Sequence, residues 1–235
     1  MKRTLATIAS GLLLLTTAAA SAQPPADALT DPAMKRAEVL AFIGVKPGDR
    51  VADIFAGRFV RALSQAVGPK GKVYAVEPAE LVKAHPEVIG ILKGLTADPA
   101  YGNIEVVNPP INTPALPSGL DAVFIRQDYH DLHDKFMGPA DVPAFNRNVF
   151  AALKPGGVFV VLDHAAPAGS GLADTDTLHR IDEAAVKSEV EAAGFVLDGE
   201  SAVLANPADD HKKMVFDPAI RGHTDQFLLR FRKPG

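Results

Sequence analysis

Short apolar runs alternate with longer helical patterns along most of this chain. Seven runs predict strands, at 51–55, 73–76, 104–107, 122–125, 158–162, 195–197 and 227–231. Apolar residues at helical spacing predict helices at 59–67, 80–95, 142–153 and 182–193, after a first helix opened by Asp31-Pro32. Strands that are apolar at nearly every position are typical of a parallel sheet covered on both faces. The pattern therefore predicts an α/β fold with helices on both sides of a mostly parallel sheet.

Two details of this pattern refine the prediction. Pro86 falls inside the helical stretch 80–95 and is expected to start or kink part of it, because proline lacks the N–H that a helix interior needs. No clear helix separates the strand at 195–197 from the strand at 227–231. A direct return without a crossover helix would make this final pair of strands antiparallel.

The N-terminus has the pattern of a secretory signal peptide. Lys2 and Arg3 precede an apolar stretch over 5–15, and Ala20-Ser21-Ala22 forms a small-residue cleavage site. The alternative is an uncleaved membrane anchor, but the apolar stretch is shorter than the roughly 20 residues that span a bilayer. We therefore expect a signal peptide at 1–22, a linker at 23–30, a domain at 31–235, and a periplasmic or secreted protein with no membrane association after cleavage.

Composition narrows the kinds of partner. The 235 residues are 47% hydrophobic and 22% charged, which is typical of one globular domain. A formal net charge of −4 and the absence of tryptophan give no reason to expect a nucleic-acid partner. The chain has no cysteine and hence no disulfide, thiol nucleophile or thiolate metal ligand. A small-molecule substrate is the expected partner, and nothing in the sequence indicates the oligomeric state.

The densest group of polar residues spans 126–134, directly after the predicted strand at 122–125. Ligands of such folds bind beyond the carboxyl ends of the strands. His130 or His133 could therefore remove a proton from a substrate hydroxyl or amine. The alternative is a solvated loop in which these residues cap the next helix. Four further segments carry His and Asp and could converge over the crevice as a lid, namely 163–164, 179–182, 209–211 and 221–223. Imidazole and carboxylate groups suit several divalent ions. No two of these residues have a dedicated metal-ligand spacing, so no metal ligand is predicted.

Three segments resemble the class I S-adenosylmethionine-dependent methyltransferases, over 33–234. They are Val51-Ala52-Asp53-Ile54, the stretch from Gly68 to Glu77, and Leu153-Lys154-Pro155-Gly156-Gly157. The resemblance implies a Rossmann-like methyltransferase fold with a seven-stranded sheet in the order 3-2-1-4-5-7-6, strand seven antiparallel. It also implies S-adenosylmethionine as the cofactor and methyl transfer to a small molecule as the activity.

The same resemblance assigns roles to individual residues. It implies that Glu77 holds the cofactor's ribose and that Asp53 reaches its amino end. Further cofactor contacts are implied for Ala56, Gly57, Asn108 and Asp128. His130 and His133 are the implied catalytic residues.

The turn after the first strand departs from the family pattern. Methyltransferases of this class have roughly G-x-G-x-G here, whereas the segment Phe55-Ala56-Gly57-Arg58-Phe59 keeps one glycine and is about two residues short. Phe55 and Arg58 are expected to crowd the cofactor, and Arg58 could instead recruit an anionic ligand. Two hypotheses follow, a methyltransferase or a catalytically inactive exported protein that binds another ligand on a methyltransferase fold.

Overall fold

A single mixed sheet forms the centre of the computed structural model, which describes residues 26–138 and 140–235. Its seven strands lie in the order β3-β2-β1-β4-β5-β7-β6. The strands are β1 Arg50–Ile54, β2 Lys72–Val76, β3 Ile104–Val107, β4 Leu120–Arg126, β5 Leu153–His164, β6 Val196–Ser201 and β7 Gln226–Arg232. The pairs among β1 to β5 are all parallel, and β7 is antiparallel to both β5 and β6. The predicted strand order and the reversal of the last strand are thus confirmed.

Seven α-helices accompany these strands within the described residues. They are α1 Arg36–Ile43, α2 Val60–Val67, α3 Ala79–Ala84, α4 Glu87–Thr96, α5 Val142–Ala152, α6 Thr175–Leu178 and α7 Glu183–Ala192. The break predicted at Pro86 is confirmed, because α3 ends before it and α4 begins after it. Asp31 caps only the short turn Pro32–Met34, and Lys35 then adopts a φ of 47° before α1 begins.

Helices cover both faces of the sheet, as the unbroken apolar strands predict. Alternate residues of β4 point to opposite faces. Val123 and Ile125 pack into the cluster that contains the buried residues of α5 and α7. Ala122 and Phe124 pack into the cluster that contains those of α1 and α2. The functional side chains can therefore gather only at an end of the sheet.

The stretch expected as a linker, 23–30, is described from Ala26 onward. Asp27 and Ala28 are buried there. The Asp27 carboxylate pairs with the Arg61 guanidinium on α2 at 2.9 Å, and the Ala28 N–H donates to the Arg58 carbonyl. This segment therefore packs beside the turn that follows β1. The predicted signal peptide and its cleavage site lie outside the described residues.

A long irregular segment, 202–225, connects β6 to β7 and crosses the carboxyl end of the sheet. Its Asp209 pairs with Arg180 at 2.9 Å, and both side chains are fully buried. Arg180 also donates to the carbonyls of Ala165 and Lys213. This ion pair ties the connection to the end of β5. Within residues 26–138 and 140–235, no helix has the length and apolarity needed to cross a membrane.

Candidate functional site

A cavity of 690 Å³ opens at the carboxyl ends of β1, β2, β4 and β5. This is the edge at which open α/β sheets bind ligands, and the volume falls within the range of small-molecule sites. Six of the residues predicted for the site line it, namely Asp53, Ala56, Gly57, Glu77, Asp128 and His130. The polar lining also includes Arg58, Arg126, Gln127, Asp131, His164 and His179.

Two buried carboxylates form the floor of this cavity. Asp53 is the fourth residue of β1, and Glu77 directly follows β2; the two residues are 2% and 1% exposed. Asp53 Oδ2 and Glu77 Oε2 are buried and have no hydrogen-bond partner among the described residues. Burial raises the pKa of Asp53 to about 8, and burial together with the Asp53 charge raises the pKa of Glu77 to about 8. Unpartnered buried carboxylates are costly, so their presence indicates a ligand that supplies donors.

Asn108 does not line the cavity. It contacts the backbone of Glu77 instead. Its side-chain amide donates to the Glu77 backbone carbonyl at 2.6 Å. The Glu77 N–H in turn donates to the Val107 carbonyl at the end of β3. Asn108 is therefore placed as a positioning residue for Glu77.

In the short turn after β1, two backbone N–H groups are bonded to the end of β2. Phe55 has a φ of 54°, in the left-handed region that favours glycine. The N–H groups of Phe55 and Ala56 both donate to the Val76 carbonyl, at 2.9 and 3.4 Å. These two donors are therefore engaged by the protein itself and do not face a ligand freely. Phe55 and Arg58 line the cavity at the place where the sequence predicts crowding.

Arg126, at the end of β4, brings a guanidinium into the same cavity. Its Nε is buried without a hydrogen-bond partner in the described residues, and its guanidinium lies 5.9 Å from the centre of the Phe59 ring. Burial lowers the pKa of Arg126 to about 10, so it remains charged at neutral pH. Nearby, burial and the Asp131 charge raise the pKa of Asp128 well above its usual range. The cavity therefore offers acidic groups on its floor and a cation beside them.

His130 is the catalytic candidate that lines the cavity. It is 2% exposed, and its Nδ1 lies 2.8 Å from Asp163 Oδ1 at the end of β5. Its Nε2 lies 3.1 Å from Asp131 Oδ1 and 3.2 Å from His179 Nδ1. Burial alone would lower the pKa of His130, but the contacts with Asp163 and Asp131 raise it well above its usual range.

His133, the other catalytic candidate, lies outside the cavity lining. Its Nε2 contacts Glu189 Oε2 of α7 at 3.1 Å, and its ring packs beside Tyr129. The 3₁₀ turn that carries both histidines, His130–His133, thus directs one toward the crevice and the other toward α7. This placement favours His130 over His133 as the residue that meets a ligand.

Two of the segments expected to converge over the crevice reach the cavity through His164 and His179, whereas 209–211 and 221–223 do not line it. Asp209 and His211 pair with Arg180 and Asp225, away from the cavity. Val215 and Phe216, from the same connection, line the cavity instead, and the Phe216 ring lies 5.0 Å from the His179 ring. An apolar cover over a polar floor is expected where a ligand must be shielded from water.

The sequence places His179 only in a polar segment that could converge over the crevice and assigns it no role at the site. His179 ends the short helix α6 with a φ of 53°, in a stretch without hydrophobic periodicity. The one available signal is its polar neighbourhood in the sequence, His179-Arg180-Ile181-Asp182, which precedes α7. Its approach to His130 depends on tertiary packing and could not be read from spacing.

The fold is that of known methyltransferases. A SAM-dependent methyltransferase from Aquifex aeolicus is 22% identical with a TM-score of 0.61, and the match covers 87% of this chain and 95% of that one. The N-methyltransferase NodS from Bradyrhizobium japonicum is 15% identical with a TM-score of 0.58, covering 86% and 96%. A possible exported protein from Bordetella parapertussis is 17% identical with a TM-score of 0.55, covering 88% and 68%. No protein-family model and no curated protein matches the chain.

Proposed function

We propose that this chain is an exported S-adenosylmethionine-dependent methyltransferase that acts on a small molecule. The observation that carries the proposal is the pair of buried carboxylates, Asp53 and Glu77. Each has an oxygen without a partner among the described residues, and both line one cavity at the ends of neighbouring strands. The fold shared with known methyltransferases supports the same reading.

The donors and acceptors of the cavity fit the cofactor. S-Adenosylmethionine carries two ribose hydroxyls, an ammonium group and a carboxylate, and when bound it supplies an activated methyl group. Glu77 is placed to accept hydrogen bonds from the ribose hydroxyls. Asp53 is placed to accept from the ammonium group. Ala56, Gly57 and Asp128 border the same space, and Asn108 holds the Glu77 backbone in position.

We place His130 in the part of the cavity that would hold the methyl acceptor. Asp163 fixes its ring through Nδ1, so that Nε2 is the nitrogen nearest Asp131 and His179 at the cavity wall. A ring held in this way can orient an acceptor hydroxyl or amine. Val215 and Phe216 supply apolar side chains on the same cavity wall.

A second candidate function is ligand binding without catalysis. The N–H groups of Phe55 and Ala56 are bonded to Val76, which removes two of the donors that a glycine-rich turn would offer. Arg58 is exposed and Arg126 lies beside it without an ion pair within the described residues. These two cations favour an anionic ligand if the nucleoside cofactor does not bind.

The first test replaces Glu77 with alanine and measures S-adenosylhomocysteine binding by isothermal titration calorimetry. At about pH 9, above the pKa of about 8 at which Glu77 ionises, loss of a charged acceptor for the ribose hydroxyls costs about 1.5–3 kcal/mol. The dissociation constant should therefore rise by about tenfold or more.

The control for this test is Glu38→Ala on α1, where the side chain is exposed and does not line the cavity. It should leave the dissociation constant unchanged. Equal binding by wild type and Glu77→Ala, both folded by circular dichroism, would contradict the assignment of Glu77.

Export gives a separate prediction. The Lys2-Arg3 pair, the Leu-rich stretch and Ala20-Ser21-Ala22 predict cleavage after Ala22, so the mature N-terminus should be Gln23. Intact mass spectrometry of protein recovered from the periplasm decides this. A periplasmic protein that retains 1–22, or one confined to the cytoplasm, would contradict it.

A further inference from the structure

Three ligand atoms meet at the wall of the cavity where His130 lies. The distances between them are 3.1 Å from His130 Nε2 to Asp131 Oδ1, 3.2 Å from His130 Nε2 to His179 Nδ1, and 3.4 Å from His179 Nδ1 to Asp131 Oδ1. Two imidazoles and a carboxylate thus form a nearly equilateral triangle. All three residues line the cavity.

The size of this triangle matches the edge of a metal coordination shell. Metal–ligand distances of about 2.0–2.2 Å in a tetrahedral site place neighbouring ligand atoms about 3.3–3.6 Å apart. The observed separations need to expand by only a few tenths of an ångström on binding. His130 and Asp131 are adjacent in sequence, whereas His179 directly follows α6. The three residues therefore form no metal-binding motif that sequence spacing would reveal.

A neighbouring carboxylate holds one ligand of the triangle in place, as is common in metal sites. A metal-binding histidine usually donates its second N–H to a carboxylate, which fixes the ring and its tautomer. Asp163 does this for His130: its Oδ1 lies 2.8 Å from Nδ1, and its Oδ2 accepts the His130 backbone N–H. Asp163 is fully buried, so the ring has little freedom to turn.

The local charge also favours a cation. Asp134 Oδ2 lies 3.9 Å from His179 Nδ1, beside the triangle, and Asp134 Oδ1 is buried without a hydrogen-bond partner among the described residues. Together with Asp131 and Asp163, three carboxylates therefore surround two imidazoles. No lysine or arginine forms an ion pair with any of these three acids in the described part of the chain.

We propose that His130, Asp131 and His179 bind a divalent transition-metal ion, with one coordination position open to the cavity. Two imidazoles and a carboxylate suit Zn²⁺ and Fe²⁺ among such ions. An ion at this position can take a substrate hydroxyl or carboxylate oxygen as its remaining ligand and polarise it. The site thus selects a substrate that presents an oxygen ligand.

The metal site goes beyond the proposed methyl transfer. It rests on that proposed function in one respect, namely that the ion would contact the methyl acceptor. Metal binding releases the Nε2 proton of His130 to solvent, and the Nε2 lone pair cannot then serve both the metal and the acceptor. In the metal-bound protein the acceptor oxygen therefore meets the ion, and His130 acts through it.

Zinc titration of the full, tag-free mature protein, first stripped with a chelator, tests the site. We expect one Zn²⁺ per chain by calorimetry and a higher Tm with zinc, since a ligand that binds only the folded state stabilises it. His179→Asn and Asp131→Asn should lose detectable binding at this site. Asp163→Asn, which keeps all three ligands, should weaken binding by about 10–100-fold.

The matched control is His223→Asn, which removes an exposed imidazole far along the 202–225 segment. It should bind zinc as wild type does. Co²⁺ gives a second readout, because a tetrahedral site should produce visible absorption bands that Asp131→Asn abolishes. Absence of zinc binding by wild type, or unchanged binding by both His179→Asn and Asp131→Asn, would overturn the proposal. S-Adenosylhomocysteine titration of the same samples reports the cofactor site separately, so either proposal can fail alone.

Discussion

Replacing Arg180 with methionine is expected to lower the free energy of unfolding by about 3–5 kcal/mol. The substitution leaves the Asp209 carboxylate fully buried without the guanidinium that lies 2.9 Å away. It also removes the donors to the Ala165 and Lys213 carbonyls. For a domain of this size, a loss of 3–5 kcal/mol corresponds to a fall in Tm of about 6–20 °C.

Denaturant unfolding of the variant measures this effect, with Arg147→Met as the control. Arg147 is exposed on α5, so its replacement should change stability by less than about 0.5 kcal/mol. Because Asp209 anchors the 202–225 segment, which carries Val215 and Phe216, the Arg180 variant should also weaken ligand binding at temperatures where it is still folded. A cost below about 1 kcal/mol for Arg180→Met would show that the ion pair does not hold this segment.

Asp53→Asn is expected to have opposite effects on stability and on binding. Burial raises the pKa of Asp53 from 3.8 to about 8, so the folded protein disfavours the ionised form. Below about pH 4 the carboxyl is protonated in both states and carries no penalty. As pH rises from about 4 to 8, the unfolded chain releases this proton and the folded chain retains it, so this group's penalty to stability grows. Above about pH 8 the penalty is constant.

Asparagine removes that penalty while keeping the shape of the side chain. At pH 8 we expect a gain of at least about 2 kcal/mol, which corresponds to a rise in Tm of at least roughly 4–8 °C and shrinks toward zero near pH 4. The gain includes relief of Glu77, whose pKa is raised partly by the Asp53 charge. Binding of S-adenosylhomocysteine should weaken by about tenfold or more, because its ammonium group loses a charged acceptor.

Asp210→Asn, at an exposed position of the 202–225 segment, serves as the control and should change neither quantity. A drop in stability at pH 8 for Asp53→Asn would mean that the carboxylate is satisfied in the folded protein. A gain in stability without any effect on binding would separate Asp53 from the ligand.

Most strands could be predicted because their signals are local: they contain a short apolar run followed by a turn. The order of the strands in the sheet followed from the resemblance to the methyltransferases. Pro86 divides a helix through a purely local effect on the backbone. Glu77 and Asp53 could be placed at the cavity because the ends of parallel strands share one edge.

The side chains that close the site could not be predicted in the same way. His130 and His133 occupy one short turn, and their different directions follow from the positions of Asp163 and Glu189 in the folded chain. His179 reaches His130 only after the segment between β5 and α7 has packed, and Phe216 covers them from an irregular connection. Such contacts join residues that are distant in sequence and follow no repeating pattern, so they cannot be predicted from sequence spacing.

We propose that the cavity above Asp53 and Glu77 is a nucleoside-cofactor site. Calorimetric titration of the mature protein with S-adenosylmethionine and S-adenosylhomocysteine tests it most directly. We expect saturable binding of both, with one molecule per chain and dissociation constants in the micromolar range or tighter. Folded protein that binds neither compound at millimolar concentration would contradict the claim.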